Sequence, residues 1–149
     1  MAKFDAEQAV AVAAITQVIN EWGYEVDTNG GRSIADVLTP DCRCKLAGQW
    51  IEGRDEIAAF YAERYARIEA GERAPVIRQI ITNVRISFTS KTAAKAGFLL
   101  LLFARVGEVP FSDYCEPVEV ADVRVDCRRE GDGDWRISML DSDRIFRRD

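Results

Sequence analysis

Histidine is absent from the 149 residues, and that omission removes more chemistry than any other feature of the chain. Without an imidazole there is no histidine-aspartate pair, no serine-histidine nucleophile and no histidine ligand for zinc. The four cysteines, Cys42, Cys44, Cys115 and Cys127, have no C-x-x-C spacing to compensate, so no metal centre is expected and free, buried or half-buried thiols are. Cys42 and Cys44 stand two apart; on a strand they share a face and are badly placed to bridge each other. No G-x-G-x-x-G or phosphate loop is present, which leaves nucleotide-dependent mechanisms without support, and no cofactor is expected. Long apolar runs are missing too. The longest, AGFLLLLFA, is half of the roughly 18 residues that a membrane span needs. Near the N-terminus AVAVAAI is short, follows Asp5 and Glu7 and lacks a basic flank and a cleavage site, so it does not read as a secretory signal and a cytoplasmic location is expected. Basic charge is also in deficit. Twenty Lys and Arg stand against 25 Asp and Glu, a net charge of -5, and the Arg128-Arg129 and Arg147-Arg148 pairs are interleaved with acids. Such a field repels phosphate backbones, and nucleic acid is not expected as a partner.

What remains is ordinary globular composition, 48% hydrophobic and 30% charged, in a length suited to one domain spanning residues 1–149. From Ala6 to Val26 the residues Val12, Ile15, Ile19, Trp22 and Val26 recur as one helical stripe. Asn29, Gly30 and Gly31 end it, because they tolerate the left-handed conformation that closes helices. Ser33 is placed to cap a short turn, IADVL, that Pro40 stops. CRCKLAGQWIEG reads as a small hairpin turning at Ala47-Gly48. RDEIAAFYAERYARIEA predicts a third helix, with Asp55 and Glu56 at its positive end. Four long strands follow, broken by TSKTAA, by the loop EVPFSDYCEP and by GDGD. On the first, Ile80, Val84, Ile86 and Phe88 are expected on one face. The second, AGFLLLLFARVG, is apolar at nearly every position, the pattern of a strand covered on both faces. Helices first and strands after give an α+β layout with a curved antiparallel sheet, and a hollow between sheet and helices where a small molecule fits.

This layout, with VDTNGGRSIADVLTPD after the first helix, EGRDEIAAFY opening the third, ITNVRI on a strand and GDWRI on the last, resembles the nuclear-transport-factor-2-like superfamily over nearly the whole chain. Within it, the SnoaL-like and scytalone-dehydratase-like branch is the most similar. The resemblance implies a strongly curved antiparallel sheet forming a cone, three N-terminal helices packed over it, and a small, often polycyclic molecule held inside. It places Asp27 on the aspartate that closes the dehydratase's first helix. There the aspartate works with a histidine and follows a tyrosine; here Val26 precedes it, and Arg78-Gln79 stands where relatives have arginine-histidine. The dehydratase mechanism therefore does not carry over whole. Ketosteroid isomerase, of the same superfamily, matches less well, its helix-one hydroxyl falling at Trp22 and its basic carboxylate near Leu46.

The candidate site follows from these positions. Asp27 lies about 100° from the middle of the helical stripe, which suits either a carboxylate on a pocket wall acting as a general base or a solvated acid at a helix end. Tyr24, one turn earlier, is placed beside it as a hydrogen-bond donor or as an aromatic at the core edge. Gln79 and Asn83, four apart on a strand, are expected to share a face with Ile77 and Ile81 and to orient a substrate oxygen. Trp22, Trp50, Phe60 and Phe103 can line the cavity or simply fill the core. Asp122 and Arg124 share a face in the same way, as a surface ion pair or with Asp122 joining the binding set. The expected function is binding of a small hydrophobic or aromatic metabolite with cofactor-independent dehydration, isomerisation or cyclisation at Asp27 and Tyr24. The alternative is a non-catalytic ligand-binding or interaction subunit, as in the small subunit of ring-hydroxylating dioxygenases. The apolar strand makes a homodimer through the sheet the expected assembly.

Overall fold

A computed structural model describes residues 3–148. The first helix, α1 (Ala6–Asn29), starts on a capping box: the Asp5 carboxylate accepts from the Gln8 amide at 2.8 Å while the Gln8 side chain accepts from the Asp5 amide at 3.1 Å. Two otherwise orphaned donors are thereby satisfied. The predicted stripe is the buried one, from Ile15 through Ile19 and Trp22 to Val26, with Ala11 and Val18 beside it. Gly30 closes the helix in the left-handed region at φ 66°, and the Gly31 amide reaches back to the Glu25 carbonyl at 3.1 Å.

The IADVL segment is a single 3-10 turn, Ile34–Val37, and not a helix of its own. Among the described residues there are therefore two α-helices, not three. Four residues close too few hydrogen bonds to propagate a helix, and the chain enters a strand at once. Ser33 makes no side-chain cap; its amide instead donates to the Glu25 carboxylate, which also accepts from Asn29 Nδ2 at 2.9 Å. The strand β1 (Leu38–Leu46) forms the expected hairpin with β2 (Gln49–Glu52). Pro40 lies inside β1, at a register irregularity between Leu38 and Arg43, where the ladder can spare a donor. The second helix, α2 (Arg54–Glu69), buries Ile57 and Tyr61.

Four long strands complete the sheet: β3 (Val76–Phe88), β4 (Ala93–Arg105), β5 (Glu119–Arg129) and β6 (Trp135–Arg147). They pair antiparallel in sequence, as expected, but β1 joins β6 in parallel, so the sheet is mixed, in the order β2-β1-β6-β5-β4-β3. The intervening chain from β2 through β5 is long enough to permit either direction. Backbone contacts of α1 fall on β3 at one side and on β6 at the other, so the sheet curls around the helix while β4 and β5 stand off from it. Their inward side chains, among them Phe98, Leu100, Ala121, Val123 and Val125, meet the α1 stripe in one buried core. Each such large side chain removed from water contributes about 1.5–3 kcal/mol.

One local feature reorders the expected faces. The β3–β4 register shifts between Thr82 and Arg85, and Asn83 sits in the left-handed region at φ 57°. This is a bulge, and it reverses the alternation on either side. Before it Ile77, Gln79 and Ile81 are half-buried and face inward; after it Val84, Ile86 and Phe88 do. Ile80 is thus on the outer face, 49% exposed, and Asn83 does not share the face of Gln79.

Candidate functional site

Asp27 occupies the last turn of α1, next to buried Val26, and is half-buried. Both of its oxygens are taken by one residue of β3. Oδ2 accepts from the Gln79 amide at 2.7 Å, and Oδ1 accepts from Gln79 Nε2 at 3.0 Å. Because β3 is an edge strand, its outward amides have no ladder partner, and Asp27 supplies one. Arg78 Nη1 adds to the seam, donating to the Ile77 carbonyl at 2.6 Å and to the Asp27 carbonyl at 3.4 Å. The end of α1 is stitched to the free edge of the sheet.

Beside this seam lies a cleft of about 200 Å³ between the ends of α1 and α2 and the start of β3. Asp27, Arg32, Arg64, Tyr65, Ile68 and Ile77 are among its walls. The Arg32 guanidinium stacks over the Tyr65 ring, 3.6 Å from its centroid. Two glycines permit this approach of the helices: a Cβ on Gly30 would lie 3.0 Å from Tyr65 Cδ2, and one on Gly31 only 2.5 Å from Tyr61 Cδ1.

The other sequence candidates are dispersed. Tyr24 is 66% exposed and is not among the residues lining the cleft; its carbonyl accepts from Thr28 Oγ1, and among the described residues its hydroxyl has no partner at Asp27. Trp22 is core, 6% exposed, and Phe60 is half-buried with its ring edge-on to Tyr61 at 5.5 Å. Trp50 is 41% exposed on β2, with Arg43 Cζ 4.8 Å from its ring centre. Asn83 and Asp122 line a broad groove on the outer face of the sheet, together with Leu99 and Arg124. Arg124 pairs there with Asp141 and Asp143 rather than Asp122, and holds both carboxyls below the usual carboxylate range. Of the nine candidates, Asp27 and Gln79 are brought together by direct bonds; Trp22 and Phe60 are packed in or against the core, and Tyr24, Trp50, Asn83 and Asp122 lie elsewhere, as does Phe103, which the strand alternation turns to the outer face of the sheet opposite Arg78. The expected buried thiols are Cys42, Cys44 and Cys127, with Cys115 half-buried, and all four are free. The adjacent Cys44 sulfur and burial push the Cys42 thiol well above the ordinary range, and burial pushes Cys127 up to about 12.

Two polar residues that the candidate set omits stand across the sheet. Leu102 on β4 is registered with Gln79 on one side and with Glu119 on the other. Glu119 shares the face of the buried Ala121, Val123, Val125 and Cys127, and Arg144 Nε contacts its Oε2 at 2.8 Å. Glutamate at the head of an otherwise apolar alternation was the signal in the sequence.

Among curated proteins no sequence matches the chain. Solved structures of similar fold include the hexachlorocyclohexane dehydrochlorinase LinA-type3 of Novosphingobium barchaimii, with 17% identity, a TM-score of 0.77 and coverage of 97% of this chain and 93% of that one. ActVI-ORFA of Streptomyces coelicolor aligns at 14% identity and a TM-score of 0.76, covering 95% and 99%. A Catenulispora acidiphila protein in complex with S-DNPA aligns at 20% identity and 0.68, covering 91% and 94%. At these identities the likeness is one of fold. Residues 7–141 match the model of the SnoaL-like domain, and the chain therefore belongs to the SnoaL-like family of the nuclear-transport-factor-2-like superfamily.

Proposed function

We propose that this chain is a small-molecule-binding SnoaL-like protein that takes a hydrophobic or aromatic metabolite between its helices and curved sheet, with Asp27 serving as a fixed hydrogen-bond acceptor instead of a proton carrier. One observation carries this reading: both Asp27 oxygens accept from Gln79. A side-chain amide neither takes nor gives up a proton at ordinary pH, so the pair cannot relay one as a histidine-aspartate pair does. Tyr24, turned to solvent, does not complete an acid/base set. The experiment is fluorescence titration of the folded protein with N-phenyl-1-naphthylamine, a neutral two-ring probe. Saturable binding that Asp27→Asn leaves within about threefold, less than 1 kcal/mol, is expected; absence of saturable binding overturns the proposal.

A second reading keeps catalysis. Asp27 still borders a cleft of about 200 Å³, and cofactor-independent dehydration, isomerisation or cyclisation there requires it as the base, with Gln79 orienting a substrate oxygen. Turnover of any substrate that falls by two or more orders of magnitude in Asp27→Asn would select this reading.

For assembly, the outer face of the sheet is the proposed contact. Half-exposed Ile80 lies there with the outward residues Leu99, Leu101 and Phe103 of β4, next to charges of both signs at Lys95, Asp122 and Arg124. A second copy related by a twofold axis would meet this face with its own. Light scattering should report a dimer that Leu101→Glu dissociates, and a monomer at every soluble concentration would refute it.

A further inference from the structure

We propose that two copies of this chain pair about a twofold axis that runs along the strands, over the seam between β4 and β5, so that β3 and β4 of each copy lie against β6 and β5 of the other. This rests on the assembly reading above, which gives the face, and adds how the two faces are turned. Two twofold arrangements lay this face against itself with the strands aligned. An axis across the strands sets each strand on its own copy and turns the sheet end for end; an axis along the strands exchanges the two halves and keeps the ends together. The face is polarised in both directions, and both polarities select the axis along the strands.

Across the strands the charge divides. Outward positions of β3 and β4 carry Arg78, Arg85, Lys95 and Arg105 and no acid, whereas those of β5 and β6 carry Asp122, Asp126, Asp141 and Asp143. The bases on the acidic half, Arg124, Arg128 and Arg136, are each held by carboxylates of their own copy. Arg105 is taken up by Asp113, and Arg78 bends round the edge to the Asp27 carbonyl. Among the described residues Arg85, Lys95, Asp122 and Asp126 close no ion pair. An axis across the strands would stack base on base and acid on acid, and like charges brought together in an interface repel. The axis along the strands sets Arg85 against the partner's Asp141 and Lys95 against the partner's Asp126. Along the strands the polarity is apolar to charged: Ile80, Leu101, Val120 and Phe146 form one row, and Arg85, Gly97, Arg124 and Asp141 another. An axis across the strands matches the apolar rows only by sliding the charged ends out of contact. The axis along them matches every row.

A glycine marks the meeting point. Gly97 lies within β4 without a positive φ, and a Cβ on it would meet only the Val123 carbonyl, at 3.6 Å. Nothing inside the monomer requires glycine there, and glycine weakens a strand unless another group must approach closely. It lines a groove of about 1050 Å³ between Arg85 and Arg124, and the axis along the strands brings the partner's Arg124 over this notch. Four strands about 4.8 Å apart, at about 3.3 Å per residue, cover roughly 700 Å² on each copy, and twice that is a standard interface. Both clefts at the start of β3 then open toward the same end of the dimer.

The test is sedimentation velocity with native mass spectrometry on the purified full chain. Arg85→Glu with Lys95→Glu, and Asp122→Lys with Asp126→Lys, should each weaken the dimer about tenfold or more, and the fourfold variant should recover it to within about threefold. Mixed with wild type, the fourfold variant should pair with itself, because like charges then meet on both halves of a mixed dimer. Gly97→Thr should weaken the dimer about tenfold or more while the dilute monomer unfolds at the same or higher denaturant. Arg73→Glu, in the linker before β3, should change nothing. Mixed dimers above the statistical share select the axis across the strands and overturn the assignment, as does a dimer that neither charge reversal nor Gly97→Thr weakens; dissociation by Leu101→Glu leaves the assembly reading standing in both cases. Wild type that stays monomeric at every soluble concentration removes both.

Discussion

Replacing Asp27 with alanine should destabilise the fold by a calculable amount, because it removes two defined contacts: hydrogen bonds from Gln79, at 2.7 and 3.0 Å, to one half-buried carboxylate. Hydrogen bonds to a charged group contribute about 1.5–3 kcal/mol each when buried. The Gln79 amide faces the free side of an edge strand and regains water in part, and its side chain can swing out, so the sum is discounted to about 2–3 kcal/mol. For a domain of this size that is a fall in Tm of about 4–12 °C. Asp27→Asn keeps an acceptor for the backbone amide and should cost about 1 kcal/mol; Gln79→Ala keeps the backbone bond and should cost a similar amount. Denaturant melts at one fixed protein concentration measure all three, and the double variant closes a cycle whose coupling should be about 1 kcal/mol, the side-chain bond alone. If Asp27→Ala melts within about 0.5 kcal/mol of wild type, or if the two substitutions simply add, Asp27 is not fastening the helix to the strand.

Three further outcomes are expected. Gly31→Ala should cost about 3 kcal/mol or more, because it forces an L residue to φ 78° and drives a Cβ to 2.5 Å from Tyr61, whereas Gly48→Ala, at φ 79° with nothing within 4 Å, should cost about 1–2; chemical denaturation separates them. Ellman's reagent on the native protein should react promptly with Cys115 alone and with all four thiols after unfolding, since Cys42, Cys44 and Cys127 are buried and the thiolates of Cys42 and Cys127 are disfavoured besides. The Arg128 guanidinium holds Asp41 down at about 2 against an ordinary 3.8. A depressed acid adds stability that is complete above its ordinary value and is lost as pH falls through 3.8 toward 2. The stability difference between wild type and Arg128→Gln should therefore be flat at neutral pH and shrink across that window. It should be small, because the pair is largely exposed.

The sequence carried the elements well and their orientation less well. The α1 stripe, its glycine stop, the hairpin turn at Ala47-Gly48 and the four long strands all follow from periodicity and turn chemistry. These are local properties, and the structure keeps them. Alternation, however, states which residues share a face and not which face is inside. For that reason the pattern allows Asp122 and Trp50 at a pocket, whereas both stand on the exposed side. Asn83 fails differently: a bulge inserts one residue into the count, so Gln79 and Asn83 part company and Ile80 turns outward. Asparagine's tolerance of positive φ was the only local sign. The parallel β1–β6 pairing and the Asp27–Gln79 bond, which joins residues 52 apart, are tertiary facts that no window of sequence contains.

The Asp27–Gln79 contact also bears on how much a lone acid can be made to say. An exposed strand edge invites pairing with other chains, and folds cover it with a helix, a loop or a charge. Here the end of α1 covers β3 at Gln79, and the carboxylate is the group that satisfies the edge amide. That structural need is met whether or not any substrate is ever deprotonated. An aspartate at this position is therefore no evidence of catalysis once glutamine is its partner. Recognition must then come from groups whose bonding the fold leaves incomplete. If Asp27→Asn lowers stability and leaves ligand affinity unchanged, the acid is a fastener between α1 and β3; if affinity or turnover falls with it, the acid has kept a role in chemistry that its hydrogen bonds do not reveal.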